Sequence, residues 1–271
     1  MPTLGRTVEP ELFLASLHAQ VFQDFELIAV DQNPDERLSP LLAPHAERFP
    51  ILHLRTLAGG ASQARNAGLR HAGGDLLAFP DDDCRYPPEL LGRVAEFFAE
   101  HPEIGGLAGR LVAEDGDSCI LNFDLEGGPI DKTNLWKRSI EATVFVRRES
   151  VRGQLFDERL GKGAGTPWGS GEGTDFVLWL LGRGVSLHYD PTVTVIHPRT
   201  TTLYDAAALR RAYEYGRGMG RVLRKHKYSP RSKIVHLLVP LGNLALAALR
   251  LNLSKARYHW SIFKGRLEGM L

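Results

Sequence analysis

Apolar and polar positions along the chain follow two rhythms in alternation. Leu12, Phe13, Leu14, Leu17 and Val21 fall near helical spacing, which predicts a helix over 11–20. The run from Phe25 to Val30 is almost wholly apolar and ends on Asp31, the pattern of a buried strand. Asn33-Pro34 marks a turn, and Ile51 to Leu54 reads as another short strand. The stretch GGASQARNAGLRHA reads as a glycine-punctuated loop entering a helix, and Asp75 to Phe79 is an apolar strand that runs into Pro80 and three aspartates. A helix over 88–100, a strand over 104–112 and a looser antiparallel region follow, with a strong short strand at Val144 to Val146. Six glycines between Gly161 and Gly173 predict a flexible loop, Thr174 is placed to cap a helix reaching Leu181, and residues 185–197 form a last strand closed by Pro198.

Repeated strand and helix units imply an α/β fold with a mixed, mainly parallel sheet flanked by helices. Ligands of such sheets sit outside the carboxyl ends of the strands, where both Asp31 and the Asp81-Asp82-Asp83 cluster fall. Beyond residue 200 the pattern changes. Tyr213 to Tyr228 is a basic helical stretch, and Leu237 to Leu249 is a mostly apolar segment of 13 residues, short of the roughly 20 that span a bilayer. The expected organisation is therefore a domain over 1–200, divided into a nucleotide-binding half (1–115) and an acceptor half (116–200), and a basic, partly apolar helical extension over 201–271.

Charge sharpens this division. From Thr201 onward 14 Lys and Arg face 3 acids, a net of +11, whereas residues 1–200 carry 19 against 29, a net of −10. Basic residues flanking a short apolar segment fit a helix lying in the interface of an anionic membrane; the alternative is an amphipathic helix packed on the protein itself. Nucleic acid is disfavoured as a partner because the part that bears the motifs is acidic. A composition of 43% hydrophobic and 24% charged residues argues against wholesale disorder and against a polytopic membrane protein. Two cysteines, Cys84 and Cys119, make no disulfide framework or paired metal spacing, which fits a cytoplasmic address, peripheral on the inner face of the membrane.

Three adjacent aspartates repel one another and gain little from a core. A solvated turn and a cation or hydroxyl site both accommodate them, and their place at a strand end favours the site. In order along the chain, PTLGR, FELIAVDQNPDE, GGASQARNAGLRHAGGDLLAFPDDDC and GSGEGTDFVLWLL resemble the inverting family 2 glycosyltransferases of GT-A fold, over about residues 1–200.

That resemblance implies transfer of a sugar from a nucleotide-diphosphate sugar donor to the hydroxyl of a carbohydrate or lipid-linked acceptor. It implies that Thr3 and Leu4 line the base and ribose pocket, Asp31 bonds the nucleobase, Arg65 approaches base or diphosphate, Asp82 holds the ribose, and Asp83 binds Mn or Mg with the diphosphate. His197 is the implied third metal partner. Members of the family place Glu-Asp where this chain has Glu172-Gly173, with the Asp as base, so the base here falls to Glu172 or Asp175, or is missing. Trp168 stacks on an acceptor sugar or simply packs.

Two other readings stand beside this one: a sugar-phosphate nucleotidyltransferase, against which PTLGR has a single glycine, and a non-catalytic nucleotide-sugar binder, for which Gly173 is the best argument. The family's first strand precedes the PTLGR-like segment. The expectation is therefore that this strand is missing and that upstream residues complete it.

Overall fold

The computed structural model describes residues 1–57, 59–199 and 203–271. They form two compact units, one of residues 1–58, 64–155 and 176–200 and the other of 59–63, 156–175 and 201–271.

In chain order the elements are β1 (Pro2–Thr3), α1 (Val8–His18), β2 (Leu27–Asp31), α2 (Ser39–Leu42), β3 (Ile51–Arg55), α3 (Ala61–Leu69), β4 (Leu76–Ala78) and α4 (Leu90–Glu100). There follow β5 (Gly106–Val112), β6 (Gly128–Pro129), α5 (Leu135–Arg138), β7 (Val144–Arg147), α6 (Arg148–Val151), α7 (Glu172–Gly182) and β8 (Leu187–Ile196). Three long helices end the chain: α8 (Ala206–Lys225), α9 (Pro230–Leu249) and α10 (Leu253–Met270).

All eight strands lie in the first unit. β1, β2 and β3 form a parallel sheet in that order, and a second sheet runs β4-β7-β5-β8-β6, with β5 and β8 parallel and the other neighbours antiparallel. The expectation of a missing first strand meets a short one. Pro2 and Thr3 pair with Val30 and Asp31, and the Val30 and Gln32 amides donate to the Met1 and Thr3 carbonyls. Between Ala108 and Arg110 the β5–β8 register shifts, and a Cβ on Gly109 would lie 2.0 Å from the Val193 carbonyl oxygen, so only glycine fits this bulge.

Helix α1 begins at Val8, three residues before the expected start, with Glu9 and Glu11 complementing its positive end. It buries Phe13, Leu14 and Leu17, with Phe13 edge-on to Tyr86 at 5.5 Å. Next to it a buried glutamine holds the loop that follows the aspartates. The Gln20 amide donates to the carbonyls of Ser16, Tyr86 and Pro87, and its oxygen accepts from the Leu91 amide. Such a fully used side chain fixes loop backbone that would otherwise be buried without partners.

In the second unit, α8, α9 and α10 each start at a side-chain cap: Asp205, Ser229 and Asn252 accept from the amides three residues on. Helix α7 starts at Glu172, so Thr174 lies inside its first turn and does not cap it. The apolar tail segment is also longer than its 13-residue sequence signature: α9 spans 20 residues, because Ser229 caps it, Pro230 opens it and Pro240 is carried in its interior.

Helices α8 and α10 meet backbone to backbone. A Cβ on Gly216 or Gly220 would lie 2.6 or 2.3 Å from α10 carbonyls, and one on Gly265 or Gly269 would lie 2.2 or 2.1 Å from α8 carbonyls. Glycine costs about 1 kcal/mol each in a helix interior, and the close approach offsets this by letting the two helices pack without side chains between them.

Gly269→Leu is expected to lower stability by about 2 kcal/mol or more through overpacking. Gly242→Ala, at a site on α9 with nothing within 4 Å, is expected to raise it by about 0.5 to 1 kcal/mol. Chemical denaturation of the two variants checks the contrast, and equal effects would contradict the packing described.

Candidate active site

The aspartate loop follows β4, and its backbone is clamped to the end of β8: Arg85 and Ile196 exchange both amide bonds, and the His197 amide donates to the Val112 carbonyl. This clamp brings a histidine 114 residues downstream to Asp83, with Nε2 3.4 Å from Oδ1.

Two arginines pair with the three aspartates. Arg65, almost fully buried, donates to Asp81 at 2.6 Å, and its guanidinium is 3.6 Å from Glu141. Arg6 bridges Asp82 at 2.7 Å and Asp83 at 2.5 Å. The Thr3 hydroxyl donates to the other oxygen of Asp82 at 2.7 Å.

Protonation follows from these partners. Burial raises the Asp82 carboxyl above its usual range, only partly opposed by Thr3 and Arg6. For Asp83 burial also acts upward, but His197 and Arg6 outweigh it and bring the carboxyl down to about 2. Two cations against one explain why neighbours diverge. Burial lowers His197, yet the Asp83 carboxylate beside it leaves its value raised above 6.5. The adjacent Cys84 thiol is pushed well up, first by burial and then by the aspartates.

Ligand atoms of Asp81, Asp83 and Cys84 lie within 4.8 Å of one another. A protonated, fully buried thiol is a poor donor for a hard cation, so the donors of this group that fit Mn or Mg are the carboxylates of Asp81 and Asp83, with the His197 imidazole beside Asp83.

Asp31 ends β2 with no exposed surface. One of its oxygens accepts from the Asn33 amide and side chain, at 2.9 and 2.7 Å, and the other lies 3.0 Å from Nε2 of His53. In this arrangement the Asp31 carboxylate is turned onto Asn33 and His53. The buried Arg65 guanidinium is paired with two carboxylates, those of Asp81 and Glu141. Leu4 is well exposed.

Glu172 and Asp175 belong to the second unit. Asp175 is buried with both oxygens held, one by Lys225 Nζ at 2.8 Å and the other by His226 Nε2 at 2.7 Å. Lys225 also donates to Asp157 at 2.9 Å. The buried carboxyl of Glu172 lies over Gly161, whose Cβ, if it had one, would be 2.8 Å from the carboxyl carbon. Trp168 carries the Arg221 guanidinium over its ring at 4.5 Å.

Sequence reasoning missed Arg6, His53, Lys225 and His226. Arg6 sits inside the PTLGR motif and was findable as a cation near three acids. The other three are joined to their acids only by the fold.

Residues 5–120 match the model of glycosyl transferase family 2. Over this part the chain is similar to the family 2 glycosyltransferases, and its fold is that of the solved glycosyltransferase structures below. An uncharacterized glycosyltransferase of Haemophilus influenzae is 33% identical over 105 residues, 38% of this chain and 35% of that protein. The minor teichoic acid biosynthesis protein GgaB of Bacillus subtilis is 30% identical over 145 residues, 51% of this chain and 16% of its own length. The chain thus spans a minor part of these relatives.

Among solved structures, the mannosyltransferase PcManGT of Pyrobaculum calidifontis, in complex with GDP-Man and Mn2+, superposes with a TM-score of 0.67 at 15% identity, covering 99% of this chain and 85% of that one. S. aureus TarS 1-349 in complex with UDP-GlcNAc superposes with a TM-score of 0.61 at 15% identity, covering 98% and 90%. The family 2 match contains Arg6, Asp31, Arg65 and the three aspartates, whereas Glu172, Asp175 and His197 lie outside it.

With metal chelated, the His197 imidazole is expected to titrate above 6.5, and Asp83→Asn to lower that value. The ion pair then stabilises the fold fully below the unfolded value, and its contribution is lost as pH rises through the higher folded one. NMR titration of the histidine ring signals reads both values; an unchanged His197 titration in Asp83→Asn would remove the pair from the account.

Proposed function

We propose that this protein transfers a sugar, with inversion, from a nucleotide-diphosphate sugar to an acceptor hydroxyl, using a divalent cation. The observation that carries the reading is the Thr3, Arg6, Asp82, Asp83 and His197 cluster at the carboxyl end of β4, inside a GT-A fold. Such strand ends are where open α/β sheets take nucleotides. Support for a nucleotide-sugar and a cation comes from the two solved neighbours, whose complexes hold UDP-GlcNAc and GDP-Man with Mn2+.

In this reading Asp81, Asp83 and His197 hold the cation, Asp82 and Thr3 hold the ribose, and Arg6 leaves the carboxylates for the diphosphate. A bound Mn or Mg supplies neutralisation of the charge that grows on the leaving nucleoside diphosphate. Asp31 acts as a positioning residue that orients Asn33 and His53 toward the base. The acceptor oxygen forms its bond to the anomeric carbon as the bond to the diphosphate breaks, and its proton passes to a carboxylate.

Glu172 is the better candidate for that carboxylate. Both oxygens of Asp175 are tied to Lys225 and His226, which suits a helix-anchoring role. Glycine at 161 leaves room for the Glu172 carboxyl.

A peripheral contact of the basic tail with an anionic membrane belongs to the same reading and accords with a lipid-linked acceptor.

Asp83→Asn is expected to abolish Mn-dependent donor binding and transfer while the chain stays folded, its melting temperature lowered only as far as loss of the Arg6 and His197 pairs accounts for. Calorimetric titration of UDP and GDP sugars with Mn and with chelator decides this, and parent-like binding by the variant would overturn the metal assignment. Glu172→Gln is expected to lower kcat at least about 100-fold with little change in donor affinity, the signature of a lost base. Asp175→Asn is expected instead to cost about 1 to 3 kcal/mol of stability, because buried partners lose their acceptor. If Asp175→Asn carries the loss of kcat at full stability, the two roles are exchanged.

A further inference from the structure

Helix α9 is apolar on both sides, and only one side is packed. His236, Pro240, Leu244 and Ala247 lie on the packed side, three to four residues apart, with Pro240 and Ala247 fully buried. The opposite side shows Ile234, Val235, Leu238, Val239, Leu246 and Leu249 to solvent, with Leu238 56% and Leu249 82% exposed. At about 100° per residue these six occupy one continuous arc of roughly 140°. Leu251 and Leu253 extend the exposed apolar surface through the turn into α10. An apolar face of this length on a soluble surface marks a contact.

Charge selects the occupant. Arg231 opens the helix and Arg250 closes it, and the stretch from Thr201 to the end has a net charge of +11. A second copy of this chain would bring like charge against like, whereas an anionic bilayer is complementary to both the apolar arc and its basic flanks.

By length and composition α9 is apolar enough to cross a bilayer, with a mean hydropathy of 1.5 over its best 18 residues. Its packing partner is not. Helix α10 carries Lys255, Arg257, Lys264 and Arg266, and Arg266 donates to the His236 carbonyl of α9. Burying that partner in hydrocarbon is costly, so α9 fits a pose flat in the interface with its outer arc down.

At the α9–α10 turn, next to the arc, is a cavity of about 300 Å³. Its rim carries Arg250 and Lys255, its wall Asn243 and Leu246, and at its side Nδ1 of His259 is buried without a hydrogen-bond partner among the described residues. Arg250 and Lys255 bring two cationic donors to the lining of one space, which suits a phosphate ester. Leu246 joins it to the apolar arc, which suits the acyl side of the same molecule.

We infer that the α9–α10 hairpin is a lipid-docking element: α9 lies in the membrane interface on its Ile234 to Leu249 face, and the cavity at the turn takes the phosphate of an anionic phospholipid through Arg250 and Lys255. This deepens the membrane contact named in the proposed function. It needs neither the donor site nor the base assignment.

The test is sedimentation of the full chain with phosphatidylcholine vesicles, with and without phosphatidylglycerol. The parent is expected to prefer the phosphatidylglycerol vesicles by about 10-fold or more, given about 1 kcal/mol for each basic residue near the surface. Leu238→Asp with Val239→Asp should abolish binding to both vesicles at an unchanged melting temperature. Arg250→Gln with Lys255→Gln should keep the weaker phosphatidylcholine binding and lose most of the preference, whereas Arg210→Gln with Arg211→Gln, an equal loss of charge on α8, should lose little of it.

Equal losses in the two arginine and lysine pairs would overturn the headgroup cavity while leaving the membrane contact standing. No binding by the parent to either vesicle would overturn both, and so would a concentration-dependent dimer in light scattering that the Leu238→Asp pair abolishes. Glycerol phosphate that binds the cavity in free solution as tightly as the vesicles do would make the ligand a soluble phosphate and overturn the lipid assignment.

Discussion

Three consecutive carboxylates can be held at the end of one strand only if something nearby neutralises them, and the first unit is arranged around that requirement. Arg65 on α3 answers Asp81, Arg6 in the first loop answers Asp82 and Asp83, and His197 past β8 answers Asp83 again. These partners come from three separated stretches of chain. The parallel pairing of β1 with β2, the Gln20 strut under the loop and the two-way amide exchange between Arg85 and Ile196 are what keep them within reach. Within this cluster Asp83 is held ionised by His197 and Arg6, while burial disposes Asp82 toward a proton.

The second unit solves a different problem. Its sequence is basic and its helices carry glycines that would weaken them in isolation, yet Gly216, Gly220, Gly265 and Gly269 lie where two backbones touch. Close contact between α8 and α10 leaves α9 with one packed side and one bare side. The C-terminal turn of α8 also supplies Lys225, and the residue after it, His226, joins Lys225 in fixing Asp175 at the start of α7. The same tail therefore stiffens the carboxylate-bearing loop and displays an apolar arc.

Departure from the family pattern at Gly173 makes this loop informative. With glycine where the resemblance puts a base, the two remaining acids differ in environment: Asp175 is held by Lys225 and His226, and Glu172 rests on a glycine that accommodates it.

Element types and order were legible in the sequence, because the apolar run before Asp31, the run before the aspartates and the alternation near residue 190 carry their periods locally. So was the family resemblance, since its motifs are contiguous stretches. Boundaries shifted where capping or proline geometry decided them, as at Glu172 and Pro230. Sequence alone determined which residue types meet at the strand ends and that the tail is basic. Only the tertiary structure decided that Asp31 faces His53, that Arg65 serves Asp81, that Asp175 is held by Lys225 and His226, and that α9 is bare on one side. Those facts depend on contacts between residues 16 to 51 positions apart, or on which face of a helix finds a neighbour, and no local pattern encodes either.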